Sequence, residues 1–196
     1  MRTVVLHSGG IDSTVLLFDR VFQGDSVHAL SLNYGQTHKR ELDASHDLCQ
    51  GYDIPRTVAI LDTAPFKGSE LTGGQGVVVP NRNMVLIAMA GALADSIGYD
   101  AVAIACHRGD GPLFPDCRPA FLEEAFRTLQ KGTEGRVRLL YPYAYKYKLD
   151  VVRLGVKLGV PFDRTWSCYR AGPEPCDECL ACRERREALF LAGAPV

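Results

Sequence analysis

Five short apolar runs, Thr3 to Leu6, Val27 to Leu32, Thr57 to Leu61, Ala101 to Ala105 and Val137 to Leu140, recur between longer stretches of helical character. The helical stretches fall near Ser13 to Phe22, His38 to Gln50, Arg82 to Ile97, Pro119 to Lys131 and Lys148 to Leu158, several closed by a glycine. Strand alternating with helix is the pattern of a parallel sheet with crossover helices, so the chain is expected to form an open α/β sheet flanked by helices. With 196 residues, 46% hydrophobic and 23% charged, it has material for one globular core. Pro161, Pro173 and Pro175 flank a change to a cysteine-rich terminus. The expected organisation is an α/β domain over residues 1–160 and a small cysteine-bearing segment over 161–196, packed on the same unit. Phe66 to Pro80, with Gly68, Gly73, Gly74 and Gly76, reads as a long surface loop able to close over a ligand.

No run approaches the roughly 18 to 20 apolar residues of a membrane helix, and Met1-Arg2 leads straight into a strand, so no membrane is expected and the cytoplasm is the expected location. A formal charge of -1 gives no general attraction to nucleic acid; binding it would need a local basic patch, for example Arg183, Arg185 and Arg186, and such a patch is not expected here.

The first run leads into Ser8-Gly9-Gly10-Ile11-Asp12-Ser13-Thr14 and then the apolar helical run Val15 to Phe18. A glycine turn opening a helix lets backbone N–H groups approach an anion, and the helix N-terminus adds partial positive charge. Ser8, Ser13 and Thr14 can add hydroxyl donors. The bland reading is a tight turn with Asp12 or Ser13 as helix cap. The lysine of a Walker A loop is missing, which argues against γ-phosphate transfer.

Seven cysteines would fit disulfides in a secreted domain, but Cys168, Cys176, Cys179 and Cys182 follow a C-x7-C-x2-C-x2-C pattern typical of metal ligation. Four thiolates make a closed tetrahedral site that suits structural zinc and leaves no position for a catalytic water. An iron–sulfur cluster is the competing occupant. Cys49, Cys106 and Cys117 stand apart and read as small buried apolar residues.

The Ser8 to Ser13 segment resembles the S-G-G-x-D-S loop of the ATP pyrophosphatase (PP-loop, adenine nucleotide alpha hydrolase-like) superfamily, whose members form adenylates by cleaving ATP between its α- and β-phosphates. Further segments look like the 7-cyano-7-deazaguanine synthases of queuosine biosynthesis: Leu32 to Gln36 with His38 and Glu41, Val79-Pro80-Asn81-Arg82-Asn83, Pro115-Asp116-Cys117-Arg118-Pro119, and Leu158 to Phe162 leading into Thr165 to Tyr169. The resemblance implies a Rossmann-like fold with a zinc lobe, and a ligase that uses ATP and Mg2+ to convert 7-carboxy-7-deazaguanine and ammonia into the nitrile. By that resemblance Ser8, Gly9, Gly10, Ile11, Asp12, Ser13 and Thr14 bind ATP, with Leu30, Ser31 and Leu32 bordering the adenine and Asp12 on the magnesium side. Asp12, Ser13, Arg82 and Arg118 are the expected catalytic residues. Arg82 and Arg118 would steady anionic groups, with Asn83 and Asp116 reading the base edge. Zn2+ would sit on the four clustered cysteines, and the protein would pair as a homodimer, with Leu189 and Phe190 of a final helix either at the interface or capping the core.

Some features depart from the family. His7 stands before the loop where relatives have an apolar residue, and reads as a buried, hydrogen-bonded histidine in preference to a base. Cys106 to Phe114 differs from the usual substrate-facing segment. Tyr141 to Lys148 alternates aromatic and cationic residues, which fits packing and snorkelling better than base stacking. Lys148 could help hold phosphate, but a lone lysine at a helix start is expected to be solvated. A relative that transfers a deazaguanine-type group to a protein or nucleic acid is the alternative function. An ATP-binding regulator without turnover and a sulfur-transferring enzyme rank lower.

Overall fold

The computed structural model describes residues 1–36, 39–61, 78–170 and 172–194. In chain order the elements are β1 (Arg2–Leu6), α1 (Ile11–Phe22), β2 (Ser26–Asn33), α2 (Arg40–Gly51), β3 (Arg56–Ile60), α3 (Arg82–Ser96), β4 (Ala101–Ala103), α4 (Pro119–Gly132), β5 (Arg138–Leu140), α5 (Lys148–Lys157) and α6 (Leu180–Ala192). All four strand pairings are parallel and the order across the sheet is β3-β2-β1-β4-β5. The expected strands are therefore present, with ends shifted by one or two residues. Of the loop expected over Phe66 to Pro80, residues 66–77 lie outside the described residues, as does His38.

Alternation along the central strands divides the core in two. Val4, Leu6, Leu30, Leu32, Val102 and Ile104 face α3 and α4, while Val5, Val27, Ala29 and Ala103 face α1, α5 and α6. Central strands buried on both faces must read as near-continuous apolar runs, which is why they were so legible. β3, at the edge, leaves Val58 and Ile60 exposed. Gly155 lets α5 close on α1, since a Cβ there would lie 2.7 Å from Val15 Cγ2 and 2.6 Å from Phe162 Cζ. The cysteine-bearing segment joins the same core through Phe162, Ala188 and Leu189. Leu189 thus caps the core, whereas Phe190 is exposed. Arg185 is not part of a basic surface patch: it donates to Thr165 Oγ1 (2.6 Å) and to the Phe162 carbonyl (2.6 Å).

Strand order runs outward from β1 through β2 to β3 on one side and through β4 to β5 on the other. The reversal between β1 and β4 opens a crevice at their carboxyl ends, where α/β sheets bind ligands.

Candidate active site

The crevice is a cleft of ≈ 450 Å³, and its floor is the turn between β1 and α1. Gly9 holds φ +93, and a Cβ there would sit 2.1 Å from the Glu41 carbonyl oxygen, so the turn is pressed against α2. Ser8 and Ser13 brace it. The Gly10 N–H donates to Ser8 Oγ (3.1 Å), the Ser8 N–H to Ser13 Oγ (3.2 Å), and Thr14 Oγ1 donates to the Gly10 carbonyl (2.8 Å). Bracing of this kind leaves the first N–H groups of α1, which lack intrahelical partners, aimed as an anion cradle.

Behind the turn, His7 is 1% exposed and fully committed. Thr14 Oγ1 gives its proton to Gly10, so it accepts from His7 Nε2 (3.1 Å), and His7 Nδ1 then accepts from the Ser45 hydroxyl (2.8 Å). Arg56 Nε donates to Ser31 Oγ (2.9 Å) and Ser45 Oγ (3.0 Å), completing the network. Burial, with the nearby Arg56 charge, lowers the His7 pKa from 6.5 to about 3, so the ring is neutral and structural. The unfolded chain takes up a proton near pH 6.5 that the folded chain refuses until about pH 3. This contribution to stability is complete above pH 6.5 and declines by about 1.4 kcal/mol per pH unit below it. We expect about 2 kcal/mol of this term to be lost between pH 7.5 and pH 5.0 in urea unfolding. A His7→Gln variant should lack that part of the acid sensitivity; an unchanged pH dependence would refute the assignment.

Charged groups gather at one end of the cleft. Lys148 Nζ donates to Asp12 Oδ2 at 2.5 Å, and both side chains are about three-quarters buried. The solvated lysine expected here is instead inside the site, because the Tyr141 to Lys148 segment folds inward: Tyr143 is buried and donates to Asp19 Oδ2 (3.2 Å), which brings the start of α5 to the crevice. Burial opposes the Lys148 charge, but the Asp12, Asp110 and Glu184 carboxylates outweigh it and raise its pKa. His107, 4% exposed, places Nε2 3.4 Å from Asp110 Oδ1 and 4.0 Å from Asp12 Oδ1. Burial, reinforced by Asp12, raises the Asp110 carboxyl. Among the described residues Asp12 Oδ1 is buried without a hydrogen-bond partner, an oxygen left for a cation.

Other parts of the lining are apolar. Leu6, Leu30, Leu32, Leu86, Ile104 and Phe114 form walls suited to planar rings. Arg82 also lines the cleft, donating to Tyr34 Oη (3.1 Å) with its guanidinium 5.8 Å from the centre of that ring.

The third wall, with Trp166, Ser167, Tyr169, Leu180 and Glu184, belongs to the cysteine-bearing segment. Its four sulfurs lie within 4.8 Å of one another, with Cys176 and Cys182 at 4.0 Å. Backbone N–H groups of Cys179 and Glu178 hold the Cys176 thiol down to about 6, whereas burial pushes Cys182 up to about 12. Thiols so packed ionise together only around a cation, which makes the cluster a candidate metal site.

Residues 2–193 match a family model described as "Queuosine biosynthesis protein QueC". The chain belongs to the QueC family. It is similar to the 7-cyano-7-deazaguanine synthases of Brucella ovis and Brucella suis, 40% identical over 211 residues in each case, covering 98% of this chain and 90% of the relative. Among solved structures it is similar to NMN synthetase from Francisella tularensis, with a TM-score of 0.60 at 17% identity over 100% of this chain and 78% of that one. It is also similar to a predicted tRNA methyltransferase subunit from Methanocaldococcus jannaschii, with a TM-score of 0.52 at 15% identity over 80% and 76% of the two chains. These two likenesses show the fold alone.

Not every residue expected from the QueC resemblance reaches the cleft. Ser8, Gly10, Ile11, Asp12, Ser13, Leu30, Leu32, Arg82 and Asn83 line it. Ser31 alternates to the other face of β2 and joins the His7 network. Asp116 is buried as the cap of α3, accepting the Asn83 N–H at 2.9 Å, and Arg118 is exposed, its Nε donating to the Gly111 carbonyl (2.8 Å). Neither presents its side chain to the cleft, and they form no ion pair with each other. Cys106 and Cys117 do not stand apart: Asn83 Nδ2 donates to both sulfurs (3.6 and 3.1 Å), and a hydrogen bond between the two thiols, with burial, raises the Cys106 thiol well above its usual range. His107, Asp110 and Glu184 were missed. The departure at Cys106 to Phe114 was the one sequence signal that could have pointed to two of them.

Proposed function

We propose that the chain is an ATP-dependent ligase that converts 7-carboxy-7-deazaguanine and ammonia into 7-cyano-7-deazaguanine, acting in the cytoplasm as a homodimer. The observation that carries this reading is one cleft lined by an anion cradle, the Asp12–Lys148 pair, apolar walls and Arg82. That arrangement can hold a nucleotide's phosphates against the carboxylate of a flat base. Exposed Phe190 is available for the contact between copies.

The α1 N–H groups and Lys148 bind the phosphates and balance charge on departing pyrophosphate. Arg82, held by Tyr34, steadies the substrate carboxylate while its oxygen attacks the α-phosphorus. Ammonia displaces AMP from the resulting acyl adenylate and loses a proton, giving the amide. A second ATP is attacked by the amide oxygen, and loss of AMP and a proton from that adduct leaves the nitrile. Asp12, whose Oδ1 is unclaimed, with Asp110 nearby, suits Mg2+, a hard cation that neutralises phosphate charge. Cys168, Cys176, Cys179 and Cys182 suit Zn2+, for which neighbouring sulfurs lie about 3.8 Å apart. Elemental analysis should give one colourless zinc per chain, and a Cys182→Ser variant should lose most of it and melt at lower temperature; a brown protein containing iron would contradict this.

Isotope labelling tests the chemistry. With both substrate carboxylate oxygens replaced by oxygen-18, one label should appear in each of the two AMP molecules released per nitrile. AMP without label would exclude activation through the carboxylate and amide oxygens.

A further inference from the structure

The cysteine-bearing segment does more than cover the cleft. Trp166 ties it to the phosphate turn, and we infer that metal in the cysteine cluster and nucleotide in the cleft bind cooperatively through this residue, each raising the protein's affinity for the other. This rests on the nucleotide reading of the cleft.

The Trp166 N–H donates to the Gly9 carbonyl at 3.0 Å, and its own carbonyl oxygen lies 3.5 Å from the Cβ position of Gly10. The backbone at Trp166 therefore runs alongside both loop glycines. Gly9 has no slack on its other side, because α2 already fills the space where its Cβ would be. A displacement of Trp166 thus passes directly to the N–H groups that form the cradle.

From Trp166 to the first sulfur ligand is two residues. The indole Nε1 donates to the Cys168 carbonyl at 3.1 Å, which makes that short stretch a closed loop, and Arg40 of α2 sits 5.2 Å from the centre of the indole ring. Cys168 is 1% exposed, and its sulfur accepts the N–H groups of Arg170 and Cys176. The far end of the cluster grips the same segment: α6 carries Cys182 and, one turn on, Arg185, which binds Thr165 and Phe162. Closing four sulfurs around one ion fixes both ends of the 162–168 segment, and with it the Gly9 contact. Conversely, a nucleotide that orders the turn and touches Trp166 and Tyr169 on the cleft wall fixes the segment and favours the closed cluster. Linkage requires the two effects to be the same factor.

We expect that factor to be about tenfold, equivalent to about 1.4 kcal/mol. Trp166 is the only tryptophan in the chain, so its fluorescence reports both events without a label. Metal-loaded and metal-stripped protein would be titrated with α,β-methylene ATP in excess Mg2+, and metal affinity would be measured by competition with a zinc-selective chelator, with and without saturating analogue. Nucleotide binding should be about tenfold weaker after stripping, and metal binding about tenfold tighter with analogue present. Equal affinities in both comparisons would overturn the coupling and leave the nucleotide reading intact. No binding of the analogue to metal-loaded protein would overturn both. If stripping unfolds the chain, as far-UV circular dichroism would show, the chelator competition is repeated on Trp166→Phe, followed by calorimetry. This variant loses the indole bond to Cys168 but keeps the four ligands. Coupling reduced to about threefold with metal stoichiometry unchanged supports Trp166 as the route, and a full tenfold coupling rules it out.

Discussion

A Gly9→Ala variant is expected to lose at least about 100-fold in kcat/KM for ATP. Two separate costs fall on that methyl group. The residue holds φ +93, where an L side chain is strained, and its Cβ would lie 2.1 Å from the Glu41 carbonyl oxygen and 2.8 Å from the Ser45 nitrogen. Both obstacles are helix backbone, so the turn has to move, and a shift of about 1 Å in groups that position phosphate is worth about two orders of magnitude. Gly24 is the control. It has φ +80 with nothing near its Cβ position, so Gly24→Ala should cost about 1 kcal/mol of stability and leave turnover alone. AMP release and urea unfolding on both variants would separate close approach from backbone strain. Equal losses of activity in the two would mean that the pressed turn is not what the site depends on.

Lys148→Met should lower kcat/KM for ATP by about 100- to 1,000-fold. The substitution preserves length and packing but removes the ammonium that donates to Asp12, with Asp110 and Glu184 close by. Without it, nucleotide phosphates would enter a cleft end dominated by carboxylates. Stability should fall as well, by about 2 kcal/mol, because Asp12 is left three-quarters buried without its partner. Lys148→Arg should restore stability better than activity, since a planar fork cannot occupy the point position of an ammonium. A normal KM for ATP in the methionine variant would remove Lys148 from the phosphate site.

These residues show what the sequence could carry. The sheet was legible because β1, β2 and β4 are buried on both faces and so are written as unbroken apolar runs. The phosphate turn and the cysteine cluster were legible because their chemistry is local, with ligands a few residues apart. The other half of the site is assembled from distant segments. Lys148 meets Asp12 across 136 positions, and no local pattern distinguishes it from a solvated lysine. Cys106 and Cys117 looked isolated because only the turn between them, with Asn83 of α3, brings their sulfurs together. The family resemblance set Ser31 beside the adenine together with Leu30 and Leu32, although the period of two in a strand turns it to the opposite face. Arg118 and Asp116 belong to a family-like motif, yet here they shape the segment around the cleft: one carboxylate caps a helix and one guanidinium pins the Gly111 turn.

Nitrile formation can be followed directly by product analysis. Purified protein incubated with 7-carboxy-7-deazaguanine, ammonium and magnesium-ATP would be followed by mass spectrometry for nitrile, amide, AMP and pyrophosphate together. Free nitrile is expected, with two AMP and two pyrophosphate for each molecule formed. AMP accompanied only by amide or adenylate, with no nitrile at any time point, would contradict it and direct attention to a macromolecular acceptor.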